Sequence, residues 1–274
     1  MTAPTRAIRL SALCIGALVV FGLTGFVAAA DFAALPTVED GSLVPADTPE
    51  RVAVVLQTLA LLTVLTLAPS ILLMTTCFTR VLIVFGFLRR ALGTQTLPPN
   101  QVMIGMALFL TFFIMWPTWS DAWQNGINPY LEGQRVNGTA MTQAEAFERT
   151  MAPIRHFMFM CLEDNNGRNE LETYMALNNT PVAADGAIIP ASVPTTVLMV
   201  SFISSELKRS FWMGFLIYLP FLIVDMVISS VLMAMGMMML PPVMISLPFK
   251  IVLFVLADGW NLMVAGLVKS FPIV

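Results

Sequence analysis

Apolar residues occupy this chain in long uninterrupted runs. Residues 52–78 contain no charge, and a helix of that run, at 1.5 Å per residue, exceeds the roughly 30 Å of hydrocarbon in a bilayer. Pro69 falls inside it, so a kinked helix is predicted there. The next stretch, 81–88, is too short to span and is bracketed by Arg80 and by Arg89-Arg90. A turn-rich segment, 93–100, carries Pro98-Pro99, and 102–119 then forms a return run, with Trp116, Trp119 and Trp123 as an interfacial belt. The pattern predicts a membrane hairpin over 51–120. Arg80, Arg89 and Arg90, with no acid between Glu50 and Asp121, mark its cytoplasmic side under the positive-inside rule.

Residues 121–190 break the apolar pattern. Their first sixty-five carry nine acids against four arginines, which predicts a small periplasmic domain of two or three short helices packed against neighbouring subunits. Thr142 and Glu145 have capping-box spacing and should open one helix. The run Asp164-Asn165-Asn166-Gly167-Arg168 has glycine at the wrong position for a calcium loop, and Met175 stands where a bidentate glutamate belongs. A plain surface loop is expected there. The last part, 191–274, is a second membrane hairpin. Around its start, 187–205 either crosses by itself, with Lys208 and Arg209 on the cytoplasmic face, or is shallow and leaves 211–235 and 243–268 as the pair of spans.

At the other end, Arg6 and Arg9 precede an apolar run over 10–27 and then Ala28-Ala29-Ala30, the pattern of a cleaved signal peptide over 1–30. Residues 31–50, acidic and containing Pro36, Pro45 and Pro49, read as an extended periplasmic arm.

Composition narrows the function classes. With 57% apolar and 11% charged residues and a mean hydropathy of +0.81, a soluble globule is excluded, since ordinary domains carry roughly 25% charged residues. A net charge of −3 offers no basic field for nucleic acid. Three separated cysteines and a single histidine, His156, supply neither a disulfide framework nor a metal cluster. No phosphate loop, nucleophile elbow or zinc-protease pair is present, so neither catalysis nor a cofactor is expected.

Charges within apolar helices are therefore the candidate chemistry, because each costs at least about 2.5–3.5 kcal/mol at the bilayer centre unless paired or hydrated. They are Glu206, Asp225, Lys250 and Asp258. Asp225 and Lys250 lie about equally far from a turn near Met237 and Met238, so a folded hairpin sets them opposite, as a structural pair or a proton relay. Asp258 has no evident partner, which suggests a subunit contact or a water-filled cavity. The turn itself places Met233, Met235, Met237, Met238 and Met239 around Gly236, before Pro241-Pro242. Unbranched thioether chains suit a seal that deforms around unlike passengers, although methionine also serves as plain core filler.

Long stretches of the text resemble the FliP family of the flagellar type III export gate, related to the SctR proteins of injectisomes. They are LTLAPSILLMTTCFTR over 65–80, LRRALGTQTLPPNQ over 88–101, LFLTFFIM over 108–115, Ser205-Glu206-Leu207-Lys208, residues 236–250, and Asp258-Gly259-Trp260-Asn261. The signal peptide and the LFLTFFIM wording favour the flagellar branch. The resemblance implies an all-α protein of membrane-associated helical hairpins with a small helical periplasmic insert, assembling into a helical oligomer of about five copies. It further implies FliQ, FliR, FlhA and FlhB as partners, unfolded flagellar subunits as passengers, and a basal-body location in the bacterial inner membrane. A methionine gasket around the pore maps to Met237, Met238 and Met239. The competing readings are an ion-coupled solute transporter using Asp225, Lys250 and Asp258, a scaffold lining no pore, and an injectisome subunit.

Overall fold

The computed structural model describes residues 49–94, 97–133, 135–136, 139–180, 188, 190–237 and 240–272. The signal peptide predicted over 1–30 and nearly all of the arm over 31–50 lie outside them. The described chain divides into two units, 1–72 and 73–274.

The first unit holds α1, Pro49–Met74, apart from its last two residues. It runs on through Pro69, and its leucines are largely exposed. Its threonines turn inward on their own helix: Thr63 Oγ1 donates to the Leu59 carbonyl at 2.7 Å and Thr66 Oγ1 to the Thr63 carbonyl at 2.8 Å. Such back-bonding satisfies hydroxyls that hydrocarbon cannot. The helix stops four residues before the end of the charge-free run, at a turn in which Thr75, Thr76 and Cys77 are buried.

In the second unit, α2 (Phe78–Leu92) is followed by α3 (Asn100–Ala122), a π-turn (Trp123–Ile127) and α4 (Asn128–Leu131). Then come β1 (Arg135–Val136), β2 (Thr139–Ala140), α5 (Gln143–Asp164), α6 (Arg168–Leu177) and a 3-10 turn (Pro190–Ser192). The chain closes with α7 (Thr195–Ala234), α8 (Pro242–Leu256) and α9 (Gly259–Lys269). The expected all-α class therefore holds but for one short antiparallel pair, Arg135 opposite Ala140 and Val136 opposite Thr139. Helix starts follow local chemistry. Pro99, Pro194 and Pro241 each precede a first turn, and the Thr142/Glu145 capping box forms, with Glu145 N–H donating to Thr142 Oγ1 at 3.3 Å.

The segment too short to span is the post of the fold. On α2, Phe78, Val81, Phe85, Leu88 and Leu92 are all buried, a three-and-four spacing that makes one helix face. Together with Met103, Phe221, Phe254 and Leu267 from α3, α7, α8 and α9 they form one core cluster. A second cluster joins α5 to α7 and the chain end through Phe157, Phe202 and Phe271. Phe157 meets Phe202 at 5.9 Å and Phe271 at 6.4 Å between ring centroids.

Three expectations change. Among the described residues the insert does hold three helices, α4, α5 and α6, but α5, at 22 residues, is not short. Residues 195–234 are one 40-residue helix. Because Lys208 bonds Glu170 of α6 at 2.9 Å, Lys208 stands beside the insert, not across a membrane from it. The 164–168 loop is a packed junction instead of a plain surface loop: Gly167 is buried, and a Cβ there would come within 2.7 Å of both Leu162 and Ser205.

By length and composition, Leu56–Met74, Asn100–Leu131 and Thr195–Ala234 can each cross a membrane, as can α8 and α9 taken as one span bent by 65°. The exposed faces of α7 and α8, including Phe211, Trp212, Phe215, Phe249 and Val252, are larger than a water-soluble monomer tolerates. They need lipid or protein against them.

Candidate functional site

The methionine-rich turn is built by how α7 ends. Gly236 takes φ +76°, and the N–H groups of Gly236 and Met237 reach back to the carbonyls of Met233 and Leu232, both at 3.0 Å. This is a glycine-dependent helix stop, which only a residue free of Cβ makes without strain. Pro242 then opens α8 at a first-turn position where its missing N–H costs nothing. Met233, Met235, Met237 and Leu240 are exposed at this tip. Met238 and Met239 lie outside the described residues.

Twelve residues from Met237 on one side and from Met238 on the other, the hairpin is pinned. Lys250 Nζ donates to Asp225 Oδ2 at 2.6 Å, and Ser246 Oγ donates to Asp225 Oδ1 at 2.5 Å. Lys250 is 2% exposed and Asp225 24%. The hairpin thus brings the two residues into one ion pair inside a single chain. The Lys250 ammonium also lies close to Gly93, the left-handed C-cap of α2, where the negative end of a helix dipole favours a cation.

A second buried pair was not legible as a pair. Arg80 is fully buried and Glu206 is 1% exposed. Arg80 Nε donates to Glu206 Oε2 at 2.7 Å, and its Nη2 also donates to Glu206 Oε1. Nη1 donates to the Ser270 carbonyl at 2.6 Å and to Ser270 Oγ at 3.0 Å. Asn165 Nδ2 completes the carboxylate at 3.0 Å, and the guanidinium lies 4.0 Å from the centre of the Phe271 ring. Arg80 therefore sits at the insert end of α2 and does not group with Arg89-Arg90 as a topology marker. Glu206, expected at a subunit contact, is consumed within the chain. The available signal was that two opposite charges isolated in apolar helices each require a partner; 126 residues of separation hid which one.

Asp258 follows a different course. It has φ 49° and is exposed, and among the hydrogen bonds of the described residues its carboxylate accepts only from Asn261 Nδ2, at 3.1 Å. His156 lines a shallow groove with Asp121, Gln124 and Arg149. Cys77 and Cys161 are both buried and free, and burial pushes the Cys161 thiol well up, keeping it unreactive. Among the described residues no three His, Cys, Asp or Glu side chains converge as a metal site.

Among the described residues this arrangement offers two buried ion pairs that lock helices together and one apolar tip of unbranched side chains. Comparison with known proteins gives the same picture a family. The model of the FliP family matches residues 61–267. The flagellar biosynthetic protein FliP of Bacillus subtilis is 48% identical over 223 residues, which are 81% of this chain and 95% of that protein. The protein of the same name from Borreliella burgdorferi is 46% identical, covering 81% of this chain and 83% of its own length. That from Caulobacter vibrioides is 46% identical, covering 79% and 76%. With a family match over most of its length and relatives this similar, the chain belongs to the FliP family.

Proposed function

We propose that the chain is a pore-lining membrane subunit of the flagellar protein export gate, needed for export of flagellar subunits and hence for flagellum assembly. The observation that carries the reading is the hairpin tip, where exposed methionines surround a glycine-dependent turn on a hairpin pinned lower down by Asp225 and Lys250. A stiff shaft with a deformable apolar tip is what a gasket requires: it closes by apolar packing and yields when an unfolded chain enters. The large exposed apolar faces support assembly into an oligomer, of about five copies by family resemblance, with FliQ and FliR and beside FlhA and FlhB. Its setting is the bacterial inner membrane at the flagellar basal body, with the acidic insert on the periplasmic side. Irregular backbone at membrane depth persists where protein buries it or a cavity is lined by it, which suits a turn facing a pore.

Replacing Met237, Met238 and Met239 together by Ala should raise ion leakage through the assembled gate severalfold in a membrane-conductance assay while assembly persists. Unchanged conductance in the triple variant defeats the gasket role. The solute-transporter alternative is weaker, because Asp225 and Lys250 already neutralise each other; it predicts saturable uptake by the purified chain alone, where the gate reading predicts none.

A further inference from the structure

Between the end of α3 and the middle of α5 lies a groove that the gate reading leaves unused. It consists of two adjoining cavities, each of about 630 Å³, that share Asp121, Gln124, Pro153 and His156. Arg149, Pro153 and His156 stand at i, i+4 and i+7 of α5 and so line one helix face. Asp121 is the last residue but one of α3, and Gln124 belongs to the π-turn. A close contact at Gly126 fixes the two walls, since a Cβ there would come within 2.2 Å of Thr150 Oγ1.

The charges in this groove are balanced and unspent. Among the described residues neither Arg149 nor His156 has a hydrogen-bond or ion-pair partner, and the Asp121 carboxylate accepts from Asn125 through Oδ1 alone. One guanidinium and one carboxylate suit a ligand that carries an anion and a cation together, because a simple anion is repelled by Asp121 and a simple amine by Arg149. The other half of the groove is apolar, with Trp116, Pro117 and Met160, and it continues along α3. Phe109, Phe113 and Trp116, again at i, i+4 and i+7, are 80%, 62% and 38% exposed, a track of about 10 Å at 1.5 Å per residue. That track belongs to Asn100–Leu131, a stretch long and apolar enough to cross a membrane, and tryptophans such as Trp116 are characteristic of the membrane interface. A zwitterionic pocket at the end of an exposed apolar track is complementary to a lipid with a charged headgroup of both signs.

We propose that this groove holds a glycerophospholipid bearing a primary ammonium, its phosphate on Arg149 and His156, its ammonium on Asp121 and one acyl chain along Phe113 and Phe109. The inference rests on 100–131 lying in a membrane and not on the gasket. In the test, the full chain purified in detergent is mixed with equal amounts of phosphatidylethanolamine, phosphatidylcholine and phosphatidylglycerol, and bound lipid is read by native mass spectrometry. Phosphatidylethanolamine should be retained severalfold over the other two, because a quaternary choline cannot donate N–H to Asp121 and a glycerol headgroup carries no cation. Arg149→Gln should lower its retention severalfold. Asp121→Asn should erase its preference over phosphatidylglycerol, a loss of selectivity that a general loss of structure does not produce. Both side chains are exposed, so the melting temperature of each variant should match that of the wild-type chain. Equal retention of the three lipids, displacement of the lipid by an equal concentration of free phosphoethanolamine, or retention indifferent to both substitutions overturns the proposal. None of these outcomes touches the conductance of the methionine variant, which tests the gasket separately.

Discussion

Arg80 offers five N–H donors in a fixed fork, and the chain brings it acceptors from three separate segments: Glu206 on α7, Asn165 in the α5–α6 junction and Ser270 after α9. Such a pair is costly to break because each member, once alone, is an uncompensated buried charge. Arg80→Ala should lower stability by about 3–5 kcal/mol, whereas Arg80→Met combined with Glu206→Met should recover much of that loss. Thermal melting of the purified chain in detergent measures both. A double variant as unstable as the single would show that the hydrogen bonds to Ser270 and Asn165, not charge pairing, carry the effect.

Between elements, the first part of α7 lies on the insert and its last part forms the hairpin with α8. The Lys208 ammonium, hydrogen-bonded to Glu170, holds that carboxyl below the usual carboxylate range. A folded-state pKa below the unfolded one makes this contact stabilising above the unfolded value, about 4.3, and lost as pH falls through the folded value. Since Lys208 is largely exposed, the effect should be under about 1 kcal/mol. Acid melting curves of the wild-type chain and Lys208→Met should therefore differ slightly above pH 5 and converge at lower pH. In the hairpin the stakes are higher. Lys250→Ala strands Asp225 with only Ser246 as a partner and should cost about 3–5 kcal/mol, read as lost accumulation in membranes; Lys250→Met with Asp225→Leu should restore it.

Across the whole second unit, the chain end closes the structure. Phe271, 2% exposed, stacks on Phe157, lies under Arg80 and shares a core cluster with Phe202, so this one ring ties α2, α5 and α7 together. Phe271→Ala should destabilise by about 3–5 kcal/mol, and the same melting assay checks it against Pro272→Ala, expected to be near neutral.

The sequence by itself determined the helical class, the capping box at Thr142 and the opposition of Asp225 to Lys250. Each follows from spacing within a stretch of about 25 residues, where helical period and turn position are enough. Tertiary structure alone decided that 78–92 is the central post, that Arg80 answers Glu206, and that Gly167 sits in a packed junction. It also decided that Lys208 belongs with the insert. Those facts depend on surfaces brought together from 38 to 190 residues apart. Local hydropathy scores an arginine as a surface charge whether or not a distant glutamate buries it.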